Sequence, residues 1–247
     1  MRVFVCIDDT DNLESRGTGH LASLLADGLE NRGWEKGHFI TRHQLFVHPD
    51  VPYTSHNRAM CFSADFEISS LNTFIDHASE FLEKESAKGS DPGLCVAPID
   101  RLSSSLQIIG FGLKAKKNVL TKQEAYRLAR QLNIHLSEHG GTGDGVIGAL
   151  AGVGLRFGGN DGRVRGKLRI ESTNGTARVC DIRSQTIVES VKALSGKIIE
   201  DNDLVKLGEK VKAVFLNGSP VLLVSPIETA ADGANWRTCT KQELSVY

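Results

Sequence analysis

An uninterrupted apolar run, Val3-Phe4-Val5-Cys6-Ile7, leads directly into Asp8-Asp9-Thr10-Asp11. A run of this kind with no polar alternation reads as a buried strand. The three carboxylates that follow within four residues repel one another and raise each other's pKa. A chain that crowds them at a strand end compensates with a cation. Mg²⁺ takes carboxylate oxygens together with substrate phosphates, so the segment points to metal-assisted phosphate chemistry. The competing reading is an acidic turn after an edge strand, with an aspartate capping the next helix. Both are open at this point.

Bulk properties exclude several classes. The 247 residues allow one large domain or two small ones, and 40% hydrophobic with 24% charged residues is ordinary globular composition. The formal net charge of −1 supplies no global basic field, so any RNA contact needs a local patch. Cys6, Cys61, Cys95, Cys180 and Cys239 are scattered, without a CxxC pair. That argues against a zinc ribbon or disulfide framework and for a reducing, cytoplasmic setting. The start of the chain does not read as a signal peptide, and no apolar run approaches the roughly 18–20 residues of a membrane span.

Along the chain, residues 1–7 read as a strand and 8–17 as a polar loop. Leu21, Leu24, Leu25 and Leu29 fit an amphipathic helix from Thr18 to near Gly33. Short strands are expected at 38–40 and 44–47, a loop over 48–58, a strand over 60–68, a helix over 71–88 and a strand over 93–99. The last three resemble half of a ferredoxin-like unit. The apolar stretch 106–113 reads as a strand. Thr121-Lys122-Gln123-Glu124 forms a capping box that opens a helix towards Leu132. Residues 146–155 read as a helix of small apolar residues. Strands at 163–171 and 176–183 flank the turn Asn174-Gly175, a short helix covers 187–194, and a hairpin turns at Asn217-Gly218. Strands and helices mix without strict alternation, which indicates α+β.

The glycine-rich stretch Gly140-Gly141-Thr142-Gly143-Asp144-Gly145 is the second candidate for chemistry. Gly143 to Gly148 matches G-x-G-x-x-G, but a loop and a helix precede it and no acidic ribose ligand follows at the usual distance. No Gly-Lys-Ser/Thr ends it, so it is no P-loop. The general physics remains: glycines let backbone N–H groups approach an anion, and the helix starting near Val146 directs its positive end there. The structural alternative is a turn followed by a Gly/Ala helix packed tightly in the core. His139 and Asp144 flank the loop. His43, His48 and His56 fit no zinc motif. Lys114, Lys116 and Lys117 are either a solvated run or a phosphate clamp. No Gly-x-Ser-x-Gly occurs, so acyl transfer has no support.

The pairing of Ile7-Asp8-Asp9-Thr10-Asp11 with Gly145-Val146-Ile147-Gly148-Ala149-Leu150-Ala151 resembles the archaeal agmatidine synthase family, which modifies the wobble cytidine of an isoleucine tRNA. Val51-Pro52-Tyr53-Thr54 with Asn57, and Ser219-Pro220-Val221-Leu222, agree with it. The resemblance implies phosphorylation of the cytosine carbonyl oxygen by ATP, followed by displacement with agmatine. It implies that Asp8, Asp9 and Asp11 hold Mg²⁺ and that Thr18 aligns with a threonine the family phosphorylates on itself. ATP would meet Gly140, Gly141, Gly143, Gly145, Asn57 and Lys116. The sequence departs from the family at Gly17-Thr18-Gly19-His20, where the family has Met-Cys-Thr-Thr-Tyr. The family's OB-fold and zinc ribbon have no counterpart in the residues given.

The resemblance implies a kinase-like α/β core, residues 1–60 with 104–172, that holds ATP and Mg²⁺. A ferredoxin-like subdomain takes 61–103 with 173–227, and 228–247 form a tail. The expected activity is an ATP- and Mg²⁺-dependent phosphotransferase or ligase whose acceptor, a small molecule or RNA, stays open. Weak binding of tRNA alone is expected, through Lys114, Lys116, Lys117, Arg163, Arg165, Lys167 and Arg169. One alternative is a nucleotide- or RNA-binding partner subunit without catalysis. Another is a phosphohydrolase with Asp8 or Asp9 as nucleophile, although Thr10 breaks the usual Asp-x-Asp-x-Thr order.

Overall fold

A computed structural model describes residues 1–30, 33–37, 39–51, 57–228 and 233–247. His38, Pro52, Tyr53, Thr54 and His56 therefore lie outside the described residues. The chain is α+β and divides into two compact units, Met1–Gly158 and Gly159–Tyr247.

In the first unit, β1 (Arg2–Asp8) is the central strand and α1 (Thr18–Glu30) follows it. Then come β2 (Glu35–Lys36), β3 (Thr41–Gln44), β4 (Arg58–Asp65), α2 (Leu71–Glu85) and β5 (Gly93–Pro98). The unit closes with α3 (Ser105–Ala115), α4 (Lys122–Leu132), β6 (His135–Glu138) and α5 (Gly145–Gly158). The sheet runs β6-β5-β1-β4-β3, antiparallel throughout, with β2 also on β4.

Two cores sandwich this sheet. Val3, Val5 and Ile7 of β1 face α1 and α2, alongside Leu25, Phe74 and Leu82. Phe4 and Cys6, at the alternate positions, face α3, α4 and α5. Register places Cys61 of β4 and Cys95 of β5 directly beside Cys6, so three free thiols form a row across the sheet.

Small residues on α5 bring that helix down onto β1. A Cβ on Gly148 would lie 1.7 Å from Asp8 Oδ2, and one on Gly152 would lie 2.4 Å from Cys6 Sγ. The Gly/Ala run is therefore a packing face, as the structural reading of that segment expects. Arg156, in the last turn of α5, is buried. Its Nη1 donates to Thr41 Oγ1 and to the Cys61 carbonyl, each at 2.8 Å, and its guanidinium lies over the rings of Phe4 and Phe39. A cation there also suits the negative end of the helix.

The second unit contains β7 (Arg163–Val164), β8 (Thr176–Arg178), α6 (Val179–Gln185), β9 (Ser190–Ala193) and β10 (Leu204–Lys206). It continues with β11 (Val214–Leu216), β12 (Ser219–Pro226) and β13 (Trp236–Thr238). Its sheet is mixed, in the order β7-β11-β12-β13-β10-β8, with β9 parallel to β12. The β11–β12 hairpin turns at Asn217 (φ 52°) and Gly218 (φ 77°), both left-handed, as a two-residue Asn-Gly turn requires.

Several expectations need correction. The segment 106–113 is α3 rather than a strand. Its buried residues Ile108, Phe111, Gly112 and Ala115 follow helical spacing, which Gly110 and Gly112 obscure in the sequence. The expected helix at 187–194 contains strand β9, whose Val191 and Ala193 alternate inward beside β12. The expected strand 176–183 becomes the short β8 followed by α6. Within 233–247, β13 pairs with β10 and β12, and Glu243 gathers several donors. The Glu243 carboxylate accepts from both Nη atoms of Arg237 (2.8 and 2.9 Å), Ser225 Oγ (2.9 Å) and Thr240 N (2.7 Å). The Arg237 guanidinium first, and then the Thr240 amide, depress its pKa. A depressed carboxylate contributes stability that is present above its unfolded pKa and lost as pH falls through the folded value. Glu243→Ala is therefore expected to cost about 1 kcal/mol at neutral pH, as for a solvent-facing pair. The difference from wild type should shrink as pH falls below roughly 4. Thermal melts from pH 7 to pH 3 check this, and a gap that widens in acid contradicts it.

Candidate functional site

The C-terminal end of β1 delivers Asp8 and Asp9 to the N-terminal end of α5. Asp8 is buried with its carboxyl against Gly148. Burial pushes its pKa well up, and the nearby charge of Asp9 adds to this. A hydrogen bond from the Asp9 backbone opposes the rise, and Asp11 contributes less. Asp9 is left-handed, φ 48°, a conformation uncommon outside glycine and associated with functional sites.

Both aspartates line a pocket that opens to solvent. Gly145 and Gly148 of α5 form its floor together with Asp144. Asp50 adds a fourth carboxylate, Asn57 and Asn118 contribute amides, and Leu45, Phe46, Val51, Val119 and Leu120 form an apolar wall. The wall is fixed by the backbone: Phe46 N donates to Ala115 O at 3.0 Å, and Asn57 Nδ2 donates to Phe46 O at 2.7 Å.

The sequence candidates separate into two groups. Asp8, Asp9, Asn57 and Gly145 meet at the pocket. Asp11, Thr18, Gly140, Gly141, Gly143 and Lys116 do not line it. Thr18 Oγ1 donates to Asp11 Oδ1 at 2.9 Å and accepts from Thr10 N at 3.4 Å, which ties the 8–17 loop to the start of α1. The glycine loop wraps carboxylates of its own chain. Thr142 N and Thr142 Oγ1 donate to Asp91, and Glu138 packs against Gly143. Lys116 caps the C-terminus of α3. Lys114 pairs with Glu124 at 2.9 Å, which draws the Glu124 pKa down to about 2. Asp50, Phe46 and Asn118 were missed, because nothing in a loop sequence indicates which side chains the tertiary fold turns inward.

Among the described residues, four carboxylates and no lysine or arginine line the pocket. A polyanion such as a triphosphate enters such a site only with a divalent cation, the N-terminus of α5 being the other positive element. Among the described residues, no group of three or more His, Cys, Asp or Glu is arranged to hold a metal ion. Mg²⁺ commonly takes one or two carboxylates and completes its shell with water and phosphate oxygens. Asp8 and Asp9 fit that pattern.

This strand-end carboxylate pair facing a glycine-rich helix start is the candidate site of the first unit. No family model matches the chain. It is 32% identical over 163 residues, 64% of its length, to TiaS of Archaeoglobus fulgidus, the 2-agmatinylcytidine synthetase of an isoleucine tRNA. It is 28% identical over 157 residues to an uncharacterised protein of Methanocaldococcus jannaschii. These matches span 36% and 50% of the two relatives. Among solved structures, the complex of TiaS with its tRNA and ATP matches with a TM-score of 0.54 at 29% identity, over 62% of this chain and 36% of that one. The complex of TiaS with its tRNA, AMPCPP and agmatine gives 0.53 at 28%, over 62% and 36%. The chain is thus a partial homologue of the tRNA agmatidine synthetase TiaS.

Proposed function

We propose that the first unit binds ATP with Mg²⁺ in the Asp8–Asp9 pocket and transfers a phosphoryl group as part of an agmatidine-synthetase-like reaction. One observation carries this reading: Asp8 and Asp9 meet the N-terminus of α5 in one pocket, although more than 130 residues lie between them. Asp8 and Asp9 would hold Mg²⁺, which neutralises phosphate charge when bound. The amides at the start of α5 would face the phosphates, and the Phe46–Val51–Leu120 wall would exclude water from the base. Thr18 and Asp11 would brace the loop that carries Asp9. Little covalent chemistry is then asked of the protein, since positioning and charge stabilisation dominate phosphoryl transfer. In this reading β1 and α5 belong to a kinase-like core, and the acceptor is a tRNA or a small molecule.

Calorimetry with and without Mg²⁺ tests the reading. ATP binding should require the metal, and Asp9→Asn should weaken it by about 1–3 kcal/mol, the scale of a hydrogen bond to a charged group. Equal ATP affinity in EDTA and in Mg²⁺ would remove both carboxylates as metal ligands.

A further inference from the structure

The edge strand β6 carries a polar chain that the Asp8–Asp9 pocket does not use. His135 and Ser137 alternate along β6 and His139 follows its end, while Leu136 packs against the α3–α5 core on the other face. Ser137 Oγ lies 2.9 Å from His135 Nε2 and 2.8 Å from His139 Nε2. The His139 ring is only 5% exposed, and its backbone is fixed by N donating to Pro92 O at 2.8 Å. Its Nδ1 has no hydrogen-bond partner among the described residues and lies 3.5 Å from Oε1 of Glu83, on α2.

The carboxylate decides where the protons sit. An ionised carboxylate only accepts, so Nδ1 of His139 carries the proton and Nε2 accepts from Ser137 Oγ. Ser137 then accepts at its other contact, and His135 Nε2 donates to it. Burial first, and His139 next, lower the His135 pKa against the pull of Asp76, which makes this ring a neutral donor at pH 7. A hydroxyl held by an imidazole that a carboxylate orients is the arrangement of an activated nucleophile. Such a triad is defined by geometry and not by sequence spacing, which is why no motif marks it here. His135 also lines a groove walled by Leu71, Ile75, Val96, Leu132 and Ile134, with no carboxylate among the described residues that line it.

We propose that Ser137 is the nucleophile of a second site, an esterase site for apolar carboxylic esters, with His139 as its base and the groove beside His135 taking the acyl chain. The bond from Ser137 Oγ to the acyl carbon forms as His139 Nε2 takes the hydroxyl proton. The bond to the leaving alcohol then breaks, and the alcohol departs with that proton. Water attacks the acyl carbon in turn, passes a proton through His139 back to Ser137, and releases the carboxylic acid. His135 Nε2 stands beside the reacting oxygen and donates to the negative charge that develops there. Glu83 is a positioning residue, which holds the His139 ring and its tautomer.

The test contains neither ATP nor Mg²⁺. The full chain in EDTA would be treated with a fluorophosphonate and mapped by peptide mass spectrometry, and hydrolysis of p-nitrophenyl octanoate and acetate would be followed in parallel. An adduct at Ser137 and a preference for the octanoate are expected. Ser137→Ala should lose both the adduct and the hydrolysis, and His139→Ala should slow hydrolysis by about 10²–10⁴. The Glu83 side chain is 66% exposed, so Glu83→Gln should leave the melting midpoint and KM unchanged. Its kcat should still fall about tenfold or more, because the amide donates to Nδ1 and turns the ring proton onto Nε2. No adduct at Ser137, full ester hydrolysis by Ser137→Ala, or an unchanged kcat in Glu83→Gln would each overturn the proposal. An acetate turned over as efficiently as the octanoate would overturn the groove as the acyl site.

Discussion

We expect Gly93→Ala to lower the thermal midpoint of the chain and to remove ATP binding together. A Cβ at this position would lie 2.2 Å from Gly145 C, 2.3 Å from its carbonyl oxygen and 2.4 Å from Val146 N. All three are backbone atoms at the start of α5, so no side-chain rotation relieves the clash. Either the helix start lifts off the sheet or β5 shifts away from β1. Overpacking of this kind costs about 1–3 kcal/mol. Because Asp8 and Gly145 both line the pocket, the same displacement opens the site. Gly110→Ala is the matched control. It lies within α3, has nothing within 4 Å of an added Cβ, and should gain about 0.5–1 kcal/mol through helix propensity. Equal midpoints for the two variants would show that the α5–β5 approach is looser than the structure has it.

The second large effect is expected at Asp8, where stability and ligand binding should move in opposite directions. Burial and the neighbouring carboxylates hold the Asp8 pKa in the folded chain above its unfolded value. The native state then binds more protons than the unfolded state between those two pKa values. Stability therefore falls as pH rises through that window. Asp8→Asn keeps the shape beside Gly148 and removes the charge. It should raise the midpoint above pH 7 by about 2–4 °C for each kcal/mol recovered, and leave it nearly unchanged below roughly pH 4. The same variant should lose Mg²⁺-dependent ATP binding. Melts across pH 4–8 with parallel calorimetry read both. A midpoint that drops at high pH would mean that the ionised carboxylate supports the fold.

The contrast between these sites and the rest shows what a single sequence discloses. The central strand was legible because an apolar run without alternation has few other uses. The capping box at Thr121 and Glu124 and the Asn217-Gly218 turn were legible because their geometry is local. The segment 106–113 was not, since its two glycines break the helical pattern, and Gly112 is there to let α5 approach: a Cβ on Gly112 would lie 2.8 Å from Ala151 O. Strand β9 was hidden because its partner, β12, begins some thirty residues further on. At the site, the acidic motif announced itself through charge crowding. The glycines divided in a way that spacing does not reveal. Gly145 serves the pocket, while Gly141 and Gly143 wrap Asp91 and Glu138. Asp50 and Asn118 needed the tertiary fold.

The row of thiols across β4, β1 and β5 makes the protein its own stopwatch. Cys6, Cys61 and Cys95 are fully shielded, and alkylating reagents attack only a thiolate that solvent can reach. Each therefore reacts only when the α3–α5 layer parts from that face of the sheet, and its labelling rate measures how often the first unit opens. Cys239, buried in the second unit, keeps separate time for that unit, and the half-exposed Cys180 marks zero. One alkylation course followed by peptide mass spectrometry would thus compare the lifetimes of the two units in a single sample, without introducing a probe.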